Sequence, residues 1–429
     1  MKVWIENPFD NLPIEGFRPQ RFWLMAQAFA AAGHDVTLWT SDFNHTTKGP
    51  RGEGRGKREE GRGEREAFRP LRGNVHPDKF YSQTVKLSNR QTVKRTYREE
   101  GRGEKEFELV MVPSIPYFSN VSVRRMFSHW RYAHTWEKMA REYASKNGAP
   151  DVIIVSTPPL STGAAARKMA GDYGARLVFD VMDAWPETFE RIAPRWALAP
   201  LRRLAKANYL SANLITTVAD RYIQLVRSYG YTGTALRFFH GIAVSSDAVE
   251  REGRRSPGAI RLAYIGNLGR TYDLPTVIDA LHLLPSATLE VAGLGAQEDF
   301  IRRQAAENPR IVFHGYLGEN EMKALLARCD IGIVPMAPES CVGVPYKLAD
   351  YSRAGLAIAS SLGGESGTLL ERYGAGIGYR AGDARDLANA IAKISTSLDA
   401  YCAAARKMAE TEFSASAIYP AYVRAVEAL

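Results

Sequence analysis

Short apolar runs alternate with longer amphipathic stretches along most of the chain, the pattern of β/α units built around parallel sheets. Val3 to Ile5 opens the series as a strand. Phe22, Met25, Ala26 and Phe29 then recur at helical spacing, and Gly33 stops that helix. Residues 35–40 alternate and are rich in strand formers, so the opening reads β-α-β with a right-handed crossover. Residues 151–156 form a continuous apolar strand ended by Pro158-Pro159, followed by an alanine-rich helix and a strand over 176–181. Residues 213–218 and 234–239 are further strands separated by a helix. Residues 241–258 are polar, charged and bear Gly and Pro, as a domain linker does. A second series follows, with strands predicted at 261–265, 288–292, 310–315, 330–334, 356–360 and 377–379 between helices. Two helices, 398–412 and 415–428, end it.

One stretch breaks this rhythm. Residues 49–69 are low-complexity Gly, Arg and Glu, and the nonamer Arg58 to Glu66 recurs with one Arg-to-Lys change at 98–106. Large apolar residues are missing there, so burial cannot offset the entropy of ordering, and flexible surface inserts are expected. Two copies are too few for a solenoid. The whole chain has 429 residues, enough for two domains, predicted at 1–240 and 259–412 with a terminal segment 413–429.

Lys and Arg number 56 against 47 Asp and Glu, a formal charge of +9. Such a balance suits phosphorylated substrates, an anionic membrane surface or nucleic acid. The Arg-Gly spacing of the inserts points weakly to RNA, because Glu is interleaved and stacking aromatics are missing. Three cysteines without paired spacing argue against a disulfide framework and for a reducing, cytoplasmic setting. No apolar run reaches transmembrane length, and the first apolar run is too short for a signal peptide.

Candidate chemistry gathers in loops that follow strands, where open α/β sheets place ligands. After the strand ending at Ile265 comes Gly266-Asn267-Leu268-Gly269-Arg270, whose glycines and guanidinium suit a pyrophosphate. Residues 340–359, SCVGVPYKLADYSRAGLAIA, run from a loop into a helix carrying Lys347 and Asp350 three residues apart on one face. The cation suits a phosphate and the anion a pair of sugar hydroxyls; a salt bridge on a solvated helix explains the pair equally well. Gly293-Leu294-Gly295 imitates a dinucleotide fingerprint, but position 298 is Glu, so the segment reads as a βα turn. Glu15 and Gly16 close the loop after the first strand, as a phosphate-approaching turn or an ordinary tight turn. Asp183 and Glu187 lie just past a strand end, placed to hold acceptor hydroxyls or to cap the next helix. Basic and aromatic residues interleave at Arg124, Arg125, Phe127, Trp130, Tyr132 and Trp136, and again around Arg195, Trp196, Arg202 and Arg203. Either an interfacial helix on an anionic bilayer or core aromatics flanked by snorkelling cations accounts for them.

The segment P-Y-K-L-A-D-Y-x-x-A-G-x-x-I resembles the P-x-K-x-x-E-Y-x-x-x-G-x-P-V-I segment of family-4 glycosyltransferases, especially bacterial surface-polysaccharide enzymes similar to N-acetyl-amino-deoxysugar transferases. YIGNLGR at 264–270 and FDVMDAWPE at 179–187 match in the same order. The resemblance runs along the chain except 49–108. It implies the GT-B fold, two Rossmann-like parallel-sheet domains facing across a cleft, with the final helix crossing back onto the first domain. It implies retaining glycosyl transfer from a nucleotide sugar, a UDP-sugar, to a polyprenyl-diphosphate-linked or glycan acceptor at the inner membrane face. Gly266, Asn267, Arg270, Glu339, Lys347 and Asp350 would then bind the donor, with Arg270 and Lys347 catalytic, and Glu15, Gly16, Asp183 and Glu187 would line the acceptor side. No cofactor or metal is implied: the chain has no Asp-x-Asp motif, and two cations can neutralise a leaving diphosphate. Three positions depart from the family. Asp350 replaces a glutamate, Val342 stands near the first glutamate of a paired-Glu motif, and a histidine usual at 156–159 is missing. A sugar-nucleotide epimerase of the same fold, or an RNA-binding protein using the inserts, are the alternative classes.

Overall fold

The computed structural model describes residues 1–15, 17–46, 48–51, 107–118, 122–190, 192–243, 259–338, 340 and 342–429. The first series comprises β1 (Lys2–Glu6), α1 (Arg21–Ala31), β2 (Asp35–Ser41), β3 (Phe43–Asn44), β4 (Gly49–Pro50) and β5 (Glu108–Val112). It continues with α2 (Val123–Asn147), β6 (Val152–Thr157), α3 (Leu160–Tyr173), β7 (Arg176–Val181), α4 (Arg195–Leu210), β8 (Leu214–Thr217), α5 (Asp220–Ser228) and β9 (Thr234–Arg237). The second series opens with β10 (Ile260–Ile265), α6 (Leu274–His282), β11 (Ala287–Ala292), α7 (Glu298–Glu307), β12 (Ile311–Phe313) and α8 (Glu319–Ala327). Next come β13 (Ile331–Val334), α9 (Tyr346–Arg353), β14 (Ala357–Ser360), α10 (Gly364–Tyr373) and β15 (Gly376–Gly378), and the chain ends with α11 (Ala384–Ser395), α12 (Leu398–Glu412) and α13 (Ala415–Glu427).

Two larger sheets result, ordered β5-β2-β1-β6-β7-β8-β9 and β12-β11-β10-β13-β14-β15. β1 lies between β2 and β6, and β10 between β11 and β13, in parallel register. Their strands are apolar on both faces because helices cover both faces, which is why they read as continuous runs rather than alternating ones. In the second sheet Leu262, Tyr264, Leu289, Val291, Ile331 and Ile333 join one core with Leu274, Val277 and Leu281 of α6 and Leu387, Ile391 and Ile394 of α11. Gly332 of β13 has a steric reason: a Cβ there would lie 2.3 Å from the Tyr351 ring.

The chain divides into two compact units, Met1–Asp180 with Pro200–Leu214 and Val423–Leu429, and Val181–Ala199 with Ile215–Tyr422. In the first, Asp10 Oδ2 accepts from Phe22 N at 2.8 Å and so caps α1 from a distance, since the Gln20 side chain at the cap position makes no capping bond. Arg21 at the start of α1 makes a forked pair with Asp180 of β7, 3.0 and 2.8 Å, both side chains fully buried. Glu427 near the chain's end lies 2.9 Å from His34 Nε2.

Sequence boundaries shift in two places. The insert expected from Gly49 has an ordered beginning: β4 pairs antiparallel with β3, and the Arg51 guanidinium is buried on Ser41 O, Asp10 O and Glu15. The remainder of 49–69, and 98–106, fall outside the described residues. Of the expected linker, Gly241–Ala243 pack rather than span: Ile242 N donates to Phe413 O at 2.8 Å, and Ala415 N donates to Ile242 O at 2.8 Å. Residues 244–258 are likewise outside.

Candidate functional site

The strands around β10 are parallel, so the loops after β10, β11 and β13 emerge at one edge of the second sheet. Short backbone bonds lace them together. Gly266 N donates to Ala292 O (2.8 Å), Leu268 N to Leu294 O (2.9 Å) and Gln297 N to Leu268 O (2.9 Å). The Gln297 amide reaches Gly269 O at 2.7 Å and Tyr272 O at 2.9 Å. On the other side Asp273 N donates to Pro335 O (2.8 Å) and Ala337 N to Thr271 O (3.0 Å).

Gly293-Leu294-Gly295 is a βα turn, as its missing third glycine indicates, and it buttresses the Gly266 loop. Gly293 has φ +147°, and a Cβ on it would come within 1.7 Å of Gly266 O. Gly266 itself has φ +114°, and its own Cβ would lie 2.7 Å from the Lys347 ammonium. Glycine is therefore needed twice, once for the turn and once to let a cation approach the backbone.

α9 delivers that cation. The solvated-helix reading of the Lys347–Asp350 pair is overturned, because α9 is buried from Lys347 to Ser352. Lys347 is only 6% exposed. Its Nζ lies 4.0 Å from the Tyr272 ring centroid and 4.9 Å from that of Tyr264, and among the described residues it has no hydrogen-bond or carboxylate partner. Asp350, one turn on, is 5% exposed. Tyr351 fixes the helix to the sheet: Ile265 N donates to its hydroxyl at 3.0 Å, and the hydroxyl donates to Ile333 O at 3.3 Å. Gly266, Asn267 and Arg270 are exposed on the glycine-rich loop, and Arg270 makes no hydrogen bond or ion pair among the described residues. A buried cation and an exposed cation beside a glycine turn suit an anion. Glu339 and Gly16 lie outside the described residues.

The other predicted residues are already engaged. Glu15 accepts from Arg51 (2.5 Å), Asn44 Nδ2 (3.0 Å) and Leu12 N (3.1 Å). Asp183 Oδ1 accepts from Ala184 N (2.8 Å) and Thr188 Oγ1 (3.4 Å), which is the local capping role. Glu187 accepts from the Tyr229 hydroxyl at 2.5 Å. Trp136 and Tyr132 are not interfacial: both are buried in the first unit, Trp136 completely. Trp130 and Phe127 of the same helix are 58% and 52% exposed, with rings 5.9 Å apart, beside exposed Val123. Phe118 and Trp196 are also exposed, at 71% and 79%. Among the described residues no group of three His, Cys, Asp or Glu converges as a metal site.

Sequence reasoning missed a second cluster, at the edge of the first sheet where β1, β2 and β5 end in parallel. There His45 Nδ1 lies 2.6 Å from the Tyr117 hydroxyl and 3.3 Å from Lys48 Nζ, and Arg125 Nε donates to His129 Nε2 at 3.2 Å. Burial, then Lys48, Arg125 and Arg51, push His45 down to about 3. His129 goes down to about 2 through burial, Arg125, His45 and Lys48. Below them Glu6 is fully buried at the end of β1, and desolvation lifts its carboxyl to about 8 against the pull of Tyr132 and Thr162. The signal available was slight: a histidine three residues before a lysine, in a segment dominated by the low-complexity insert.

Residues 259–397 match the family model of glycosyl transferases group 1. No curated protein sequence matches the chain. Among solved structures, sucrose-phosphate synthase from Thermosynechococcus elongatus is similar over 100% of this chain and 98% of its own, with 12% identity and a TM-score of 0.71. HepE from Anabaena in complex with UDP-glucose aligns over 100% of both chains, with 14% identity and a TM-score of 0.62. WaaG, a glycosyltransferase involved in lipopolysaccharide biosynthesis, aligns over 99% of both, with 14% identity and a TM-score of 0.59. At this identity the likeness speaks for the fold, two Rossmann-like parallel-sheet domains of the GT-B kind.

Proposed function

We propose that the protein is a retaining glycosyltransferase that moves a sugar from a nucleotide sugar, a UDP-sugar, to a polyprenyl-diphosphate-linked or glycan acceptor in cell-surface polysaccharide synthesis. One observation carries the reading: the Lys347 ammonium, buried, without a carboxylate among the described residues, held between two tyrosine rings against Gly266. A buried cation of this kind is costly unless an anion joins it. The family match over 259–397 supports a nucleotide-sugar donor as that anion's source. Residues 259–412 then form the donor domain and 1–240 the acceptor domain, with 413–429 returning to the first.

The chemistry follows from charge. The bond between the anomeric carbon and the donor's diphosphate oxygen breaks as an acceptor oxygen bonds the same face of that carbon. Negative charge grows on the leaving diphosphate, where Lys347, Arg270 and the N–H group of Asn267 strengthen their hold without a metal. The acceptor's proton passes to a donor phosphate oxygen. Asp350 accepts from the ribose hydroxyls, and Glu339 takes the place of the displaced family glutamate. Asp183, Glu187, Glu15 and Gly16 border the acceptor.

Calorimetry with UDP and uridine tests this. Lys347→Ala should weaken UDP about tenfold to a hundredfold, the value of a hydrogen bond to a charged group, and leave uridine nearly unchanged. Asp350→Ala should weaken both. EDTA should leave UDP binding intact. Wild-type affinity in Lys347→Ala would sink the diphosphate assignment, and loss of binding in EDTA would sink the metal-free mechanism.

A further inference from the structure

A buried lysine is ordinarily paired with an acid. Lys347 is buried, and among the described residues two aromatic faces meet its ammonium where an acid would be expected. The rings of Tyr264 and Tyr272 stand 5.8 Å apart at 72°, so they form a corner. Lys347 Nζ sits over both faces, 4.0 Å from the Tyr272 centroid and 4.9 Å from that of Tyr264. Both distances are within reach of a cation–π attraction, which burial strengthens. Gly266 bounds a further side, where a Cβ would lie 2.7 Å from the ammonium.

The nearer ring is held by its own backbone. Tyr272 N donates to Gly269 O at 3.1 Å, Tyr272 O accepts from the Gln297 amide at 2.9 Å, and the residue bridges antiparallel to Met336 just past β13. Tyr264 is fully buried in β10, and its hydroxyl donates to Asn267 O. The two tyrosines bracket the glycine-rich loop, and its far end, at Tyr272, is tied both to the turn after β11 and to the end of β13. An aromatic face and a carboxylate differ in what they leave to a ligand. A carboxylate would engage the ammonium's N–H groups, and an incoming anion would have to displace it. A ring face attracts the charge without accepting a strong hydrogen bond, so the ammonium keeps its donors for an anion. Without the ring, a lone buried ammonium would withdraw toward water on its flexible stem, and only the fraction of molecules with the cation in place would bind.

We propose that Tyr272 is a positioning residue for Lys347: its ring holds the ammonium beside Gly266, with its hydrogen-bond donors kept for the donor diphosphate. The ligand in this inference rests on the glycosyltransferase reading; the hold of the ring on the ammonium does not.

The test varies the ring at position 272 in the full chain and reads UDP and uridine by calorimetry. Tyr272→Phe keeps the face and should bind UDP as wild type does. Phenylalanine carrying one, two or three ring fluorines keeps the shape but drains negative charge from the face, so UDP affinity should fall stepwise. Tyr272→Leu should be weakest, by about tenfold to thirtyfold, the size of a desolvated cation–π contact. Uridine, which lacks the diphosphate, should bind all of them alike. In the ligand-free protein the Lys347 Cε protons, assigned by their loss in Lys347→Arg, should resonate upfield through the Tyr272 ring current and move back in Tyr272→Leu. UDP affinity that stays level across the fluorinated set shows that the ring only fills space and overturns the proposal. A Lys347 signal indifferent to Tyr272→Leu overturns it as well. If Tyr272→Leu lowers the melting temperature, the fluorinated set, whose shapes match, carries the affinity test. The donor reading fails separately, when Lys347→Ala binds UDP as wild type does; the NMR shift then decides whether Tyr272 holds the ammonium.

Discussion

At the scale of single residues, burial decides which charges matter. Glu6 illustrates this through its pH dependence. Its carboxyl is raised to about 8 in the folded protein from an ordinary 4.5, so the folded state keeps a proton that the unfolded chain releases. Stability then falls as pH climbs from about 4.5 to about 8 and levels off above, because the native state binds more protons throughout that window. Glu6→Gln removes the titration while keeping the shape. Its melting temperature should match wild type near pH 4.5 and exceed it by several degrees at pH 8. A gap that stays constant with pH would show that Glu6 is ionised in place. Lys347 has the opposite logic: its burial matters because of the anion it can hold. Both residues are ordinary in the sequence, and neither neighbour pattern marks them as buried.

At the scale of elements, the Gly266 loop is only as well formed as the turn behind it. Gly293→Ala would place a methyl 1.7 Å from Gly266 O at a backbone angle that side chains avoid. It should lower the melting temperature by several degrees and weaken UDP at least tenfold, as read by thermal shift and calorimetry. Gly171→Ala in α3, where a Cβ meets nothing within 4 Å, should be neutral or slightly stabilising in the same assays. Equal behaviour of the two variants would refute the buttressing role. That turn's existence was legible from its glycines and the strand before it. Its partner was not, because Gly266 and Gly293 meet through strand order, not through spacing along the chain.

At the scale of the whole molecule, the question is where it works. No helix among the described residues is long and apolar enough to cross a membrane. The exposed Phe127–Trp130 stack with Val123, Arg124 and Phe118 is the composition of an interfacial helix. Peripheral binding at the inner face of the cell membrane is expected. In liposome flotation, Phe127→Ala with Trp130→Ala should lose most binding to anionic vesicles without lowering the melting temperature, and salt should weaken the wild type. Trp136→Ala should instead cost about 3–5 kcal/mol of stability, since its ring is fully buried. Unchanged flotation of the double variant would remove the membrane-facing assignment of α2.

Parallel strands covered on both faces must be apolar throughout, and helices between them must be amphipathic, so the sequence alone determined the β/α alternation and the order of the strands' loops. Glycine needs at strand ends were legible for the same local reason, and so were the Gly266 loop and Lys347. Tertiary structure decided the rest. Periodicity reveals that α2 has two faces but not which one meets the core, so it could not separate Trp136 from Trp130. Arg51 looked like the start of an insert until Glu15, thirty-six residues away, was found beside it. Tyr264 and Tyr272 become the walls of the Lys347 site only because β10 and β13 are neighbours. Lys48, Arg125 and His129 converge because β2, β5 and the helix after β5 are brought to one sheet edge, a proximity set by topology and invisible to any local pattern.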